Sequence, residues 1–143
     1  MRLYTRTGKR FLVMVVGMLV FGSGYAQHRV ELTIKGIENA QGSVLVAVYN
    51  SEVSFMKRHV ASKKVKVTGK EVSLVFENVA PGDYAISTFH DENDNNKLDT
   101  NLLGIPNERY GFSNDARGTF GPPSFEKARI KVDGDKKVVI NLK

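Results

Sequence analysis

Pro81-Gly82-Asp83-Tyr84-Ala85-Ile86-Ser87-Thr88-Phe89-His90-Asp91-Glu92-Asn93-Asp94-Asn95-Asn96-Lys97-Leu98-Asp99 holds a turn, a strand and a polar loop in direct succession. Pro81-Gly82 suits the centre of a type II turn, with Gly82 at positive φ. Tyr84 to His90 then alternates, sending Tyr84, Ile86 and Thr88 to one face and Ala85, Ser87 and Phe89 to the other. A period of two is the mark of a strand. The strand ends where oxygen-bearing side chains begin.

The same period recurs on both sides of this stretch. Val30, Leu32 and Ile34 share a face, as do Val72, Leu74 and Phe76, and Val138, Ile140 and Leu142. Ser43 to Tyr49 is nearly all apolar and suits a central strand. Turn chemistry at Gly42 predicts a hairpin between the Val30 strand and Ser43 to Tyr49. Asp133-Gly134 predicts another between the strands Phe125 to Val132 and Lys137 to Leu142. Lys64 to Val67 reads as an edge strand defended by lysine. Ser51 to Lys57 reads as a helical turn with Phe55 and Met56 partly buried. These elements predict an all-β fold, an antiparallel β-sandwich of about seven strands.

Thr100 to Ser124 has no periodicity and is rich in Gly and Pro. Its apolar residues argue against disorder. The expectation is a long ordered loop, with Leu103, Ile105, Tyr110, Phe112 and Phe120 packed onto the sandwich.

The chain has 143 residues and no cysteine. Arg2, Arg6, Lys9 and Arg10 precede an apolar run from Phe11 to Phe21, and Gly24 and Ala26 have the spacing of a signal peptidase site. Residues 1–26 therefore read as a signal peptide and 27–143 as one domain, placed in the periplasm or secreted. The run falls short of the roughly 20 apolar residues of a spanning helix, so no membrane anchor is expected in the mature form. The formal charge is +6, but residues 1–26 hold four basic residues and no acidic ones, which leaves +2. That is a poor basis for nucleic acid binding.

Oxygens at every second position let a short loop curl round a hard cation. Counting Asp91 as position 1, side chains at Asp91, Asn93, Asn95 and Asp99 and the carbonyl of Lys97 fall at positions 1, 3, 5, 9 and 7 of an EF-hand-like pattern. The pattern predicts Ca2+ on these five residues. Asn96 stands where that loop has Gly, and Asn tolerates the left-handed region. Leu102 stands where it has a bidentate Glu. Glu92 and Asp94 are expected to point outward. Without an ion the same residues make an Asx-rich surface turn. Hard oxygens disfavour zinc and copper.

Catalytic candidates are thin. His90 and Asp91 are neighbours on a strand and face opposite ways, so His90 reads as structural, bonded to the loop backbone. Ser113 lacks a Gly-x-Ser-x-Gly elbow. Arg109, Tyr110, Asp115 and Arg117 suggest either a shallow site or a self-packed loop with Arg117 paired to an acid. The leading reading is an exported non-catalytic module with an unidentified protein or glycan partner. Its rivals are a hydrolase using His90 and the 109–117 loop, and an adhesin-like module binding sugar or protein through Tyr110.

His90 to Asn101, Leu103-Gly104-Ile105-Pro106, Tyr110 to Asn114, Ala116-Arg117-Gly118 and Phe120 to Phe125 resemble the bacterial exported family called domain of unknown function 2141. The resemblance covers most of the chain after the signal and implies a small exported β-sandwich with no assigned activity. It brings no catalytic residues. The Pro81 to Tyr84 turn is also similar to that of prealbumin-like and carboxypeptidase-regulatory-like sandwiches. An immunoglobulin-like or prealbumin-like arrangement is therefore expected.

Overall fold

The computed structural model describes residue 24 and residues 26–143. The basic segment, the apolar run and most of the cleavage motif lie outside the described residues. The elements are β1 (His28–Lys35), β2 (Ser43–Tyr49), β3 (Ala61–Lys66), β4 (Glu71–Val79), β5 (Gly82–Asp91), β6 (Tyr110–Phe112), a 3-10 turn (Ser113–Asp115), α1 (Phe125–Ala128), β7 (Ile130–Val132) and β8 (Lys136–Asn141).

Two sheets face each other. One has the order β4-β1-β8, the other β3-β2-β5-β6, with β7 paired to β5. All the pairings are antiparallel except that of β1 with β8. The sandwich expectation holds. Alternation along the strands explains why: Leu32, Ile34, Val44, Val46, Leu74, Phe76, Ile86 and Ile140 all point between the sheets and are buried. Each such aliphatic side chain stabilises the fold by about 1.5–3 kcal/mol on full burial.

Both predicted hairpins are absent. β1 pairs with β4 and β8, whereas β2 pairs with β3 and β5, so the chain crosses between sheets at Gly42. Gly42 has a φ of 64°, and a Cβ there would lie 1.9 Å from the Asp91 carbonyl oxygen. Close approach to the end of β5, not a hairpin turn, is what requires glycine. β7 pairs with β5 and β8 with β1, so Asp133-Gly134 also joins two sheets. Gly82 is not at positive φ, which falls instead on Asn78 at 59°. The stretch expected to be strand from Phe125 begins as α1, because the Ser124 hydroxyl accepts the Lys127 N–H at 3.3 Å and caps it.

A second apolar cluster lies on the outer face of the larger sheet. Tyr49, Phe55, Ala85, Phe112, Phe125 and Ala128 build it, with Phe55 edge-on to Tyr49, Phe112 and Phe125. Both clusters lie between Val30 and Leu142, so a chain starting at Gln27 carries all their residues. Phe55 is buried as expected, but Met56 is exposed at 45 %. β3 is an edge strand, at Ala61–Lys66 instead of Lys64 to Val67.

The 100–124 segment is ordered in a different way from the expectation. Tyr110 and Phe112 pack, whereas Leu103, Ile105 and Phe120 are exposed. Hydrogen bonds hold the 99–107 turn. The Asn101 side-chain oxygen accepts the N–H groups of Leu103 and Ile105 at 2.9 and 3.1 Å, and Asn101 N–H reaches the Ile105 carbonyl at 2.8 Å. Apolar composition was therefore a poor guide to which residues order this turn.

Candidate functional site

β5 delivers Asp91 to the mouth of the polar loop, paired opposite Ser43 of β2. The Asp91 side chain is wholly buried. Its two oxygens accept the N–H groups of Asn95 at 3.0 Å and Asn96 at 2.8 Å, and the Lys64 ammonium stands 3.8 Å away. A buried carboxylate needs such partners. These bonds curl the loop back over the strand end. Asn96 takes a φ of 64°, the left-handed turn expected of it, and Asp94 does the same at 59°.

The candidate ligands above Asp91 converge. Asn93 donates its side-chain N–H to one oxygen of Asp99 at 2.6 Å, and Asn95 donates to the other at 2.9 Å. The side-chain oxygens of Asn93 and Asn95 accept the N–H groups of Asn95 and Lys97 at 3.1 and 2.8 Å. Asn93, Asn95 and Asp99 therefore form one knot, with Asp91 fastened beneath them to the backbone of Asn95 and Asn96. Lys97 joins the knot by its N–H, which donates to the Asn95 oxygen. Among the described residues, no three His, Cys, Asp or Glu side chains gather as a metal group. The loop's candidate set is two carboxylates, two amides and a carbonyl.

Two residues depart from the expected outward pose. Asp94 accepts the Ser43 hydroxyl at 2.7 Å and pairs with Lys66 at 2.6 Å and Lys64 at 3.1 Å. Lys66, then Ser43 and Lys64, hold its carboxyl well below the usual carboxylate range. Glu92 accepts the Asn39 amide at 2.9 Å. The lysines of β3 thus moor the loop to the sheet edge.

Glu108 is the residue that loop spacing could not find. It is 8 % exposed, and its two oxygens accept the N–H groups of Glu92 at 3.0 Å and Asp99 at 2.9 Å. One carboxylate therefore clamps both ends of the loop. Its position 16 residues beyond Glu92 hides it from any local pattern; the turn at Asn101 brings it back.

The catalytic candidates do not assemble. His90 is buried against the opposite sheet, with Nε2 2.7 Å from the Gln41 carbonyl oxygen, so it bonds the 38–42 turn and not the acidic loop. Ser113 is buried, accepts the Ile86 N–H at 2.9 Å and donates to the Ala128 carbonyl. Asp115 accepts both the N–H and the side-chain amide of Asn141, at 2.8 and 2.7 Å. Arg109 pairs with Glu38. Arg117, expected to pair with an acid, does not do so among the described residues. Tyr110, Asp115 and Arg117 line a pocket of about 50 Å3, room for little more than water.

The family profile described as uncharacterized protein conserved in bacteria, DUF2141, matches residues 32–141. The chain belongs to this family. The matched span runs from β1 to the end of β8 and includes the polar loop and Glu108, so the DUF2141 unit is the sandwich together with its knot. No curated protein and no solved structure matches the chain.

Proposed function

We propose that this DUF2141 chain is an exported, non-catalytic β-sandwich module whose 91–99 loop binds one calcium ion through Asp91, Asn93, Asn95, the Lys97 carbonyl and Asp99. The observation that carries the reading is the convergence of Asn93 and Asn95 on the Asp99 carboxylate, at 2.6 and 2.9 Å. A half-turn of either amide exchanges nitrogen for oxygen at that point and gives up the backbone N–H bond that its oxygen accepts from Asn95 or Lys97. Oxygens then face oxygens, an arrangement a hard cation favours and its absence disfavours. The curl imposed by Asp91 and the clamp of Glu108 hold the loop ready for that exchange. Export is supported by the basic segment, the apolar run and the Gly24-x-Ala26 spacing.

Melting in chelator and in millimolar calcium tests the metal. Calcium is expected to raise the melting temperature with concentration, by mass action. Asp99→Ala should abolish the rise. Asp94→Ala should lower stability in both conditions and keep the rise, because Asp94 faces β3. Identical melting of the parent protein in both conditions would refute the calcium reading. N-terminal sequencing of exported material should find Gln27; an intact Met1 in the membrane fraction would refute export.

A further inference from the structure

Of the eight large apolar side chains left exposed among the described residues, five, Met56, Leu102, Leu103, Ile105 and Phe120, lie at or beside one groove. Met56, Leu103, Ile105 and Phe120 line a groove of about 680 Å3 floored by Tyr110 and Phe112. Leu102 stands next to Leu103 at the tip of the same turn. Leu102 and Phe120 are as exposed as in an extended chain, at 106 % and 101 %, and Leu103 is 83 % exposed. Single exposed apolar residues are ordinary, but a cluster of this kind marks an interaction site. Two separate tips, 102–105 and 119–121, carry it.

Four cations lie within a few residues of the groove's lining in sequence. Lys57 and Arg58 follow Met56, Lys97 precedes Leu98 at the groove wall, and Arg117 leads into the Phe120 tip. All four are exposed. None is paired with an acidic side chain among the described residues, and residues 1–26 contain no acid that might pair with them.

We propose that this face docks on an anionic bilayer surface, with the two apolar tips entering the interface and the four cations meeting headgroup phosphates. A planar apolar boundary accepts two protruding tips at once. Apolar residues beside lysine and arginine are the makeup of interfacial binding elements. A second copy seated on the same face would set cations against cations. Each cation near an anionic surface strengthens binding about fivefold, and salt screens the effect.

Co-sedimentation of the chain beginning at Gln27 tests the proposal, using phosphatidylcholine vesicles with and without phosphatidylglycerol. All arms contain chelator, so the result stands apart from the calcium reading. The protein should sediment only with phosphatidylglycerol vesicles and less so at raised salt. Lys57→Glu with Arg58→Glu should weaken binding on the order of 25-fold or more. Leu103→Ser with Phe120→Ser should abolish it while leaving the melting temperature unchanged, since both side chains are exposed. Failure to sediment with either vesicle, equal sedimentation with both, or binding untouched by the Leu103 and Phe120 changes would overturn it. So would a concentration-dependent dimer that the same two changes dissolve, which would assign the face to a second copy.

Discussion

Replacing Glu108 by Ala removes the carboxylate that joins the two ends of the polar loop. Its oxygens accept the N–H groups of Glu92 and Asp99 at 3.0 and 2.9 Å, and the side chain is 8 % exposed. A hydrogen bond to a charged group contributes about 1.5–3 kcal/mol. Both donors lie in half-buried residues that water partly reaches, which places the loss near the lower end, about 3–4 kcal/mol for the pair. In a domain of this size that corresponds to a fall in melting temperature of roughly 12–16 °C. Glu108→Gln keeps one acceptor oxygen and should cost about half as much. Urea unfolding followed by circular dichroism measures both changes, with an unchanged denaturant slope showing that the native state is otherwise intact. A Glu108→Ala protein within about 0.5 kcal/mol of the parent, the scale of an ordinary surface change, would refute the clamp.

Gly42→Ala should destabilise by about 2–4 kcal/mol, the sum of left-handed strain and forced displacement of the Asp91 and Glu92 backbone; urea unfolding tests it, and a loss under 1 kcal/mol would contradict the close approach. Ser113→Ala strands the Ile86 N–H beneath the second cluster and should cost about 1–3 kcal/mol, again read by urea unfolding. Asp94 has a depressed carboxyl pKa in the folded state, so its contribution is complete above the unfolded aspartate pKa. It is lost only as pH falls through the lower folded value. Carbon-detected NMR titration should place its midpoint well below that of an ordinary aspartate, and an ordinary midpoint would mean the Lys66 and Lys64 contacts do not form in solution.

Alternation was enough to read β1, β4, β5 and β8, because each has one face toward the other sheet and burial follows the period; β6, three residues inside the stretch expected to be loop, and α1, where strand was expected from Phe125, were not legible that way. Leu32, Leu74 and Ile140 fall where the pattern puts them. Pairing partners were not legible. Gly42 and Asp133-Gly134 look like hairpin turns locally, yet both carry the chain from one sheet to the other. A turn residue reports backbone geometry, not destination. In the polar loop, Asp91, Asn93, Asn95 and Asp99 were visible as alternate oxygens, and the left-handed Asn96 was foreseen from its side chain. Glu108 was not, since its bonds span a turn of irregular backbone. The poses of Asp94 and Glu92 were missed because their partners, Lys66, Ser43 and Asn39, come from remote segments. Leu103, Ile105 and Phe120 depart from the packing expectation because an apolar residue in a loop packs only where the turn brings it against the sheet.

β1 is the middle strand of its sheet, but both of its neighbours arrive late. Leu32 lies opposite Leu74 of β4 on one side and Val138 of β8 on the other, and the Arg29 N–H reaches a side-chain oxygen of Asp135, 106 positions along the chain. Most of the chain must therefore be brought round before the smaller sheet can close, and loop entropy is lost before those contacts form. Chains dominated by such distant pairings fold in milliseconds to seconds instead of microseconds. β1, which precedes the other described strands in the chain, is thus among the last of them to be enclosed. Until Lys136–Asn141 is available, one edge of β1 has no ladder partner, so a chain interrupted before β8 presents an open apolar strand to whatever lies nearby.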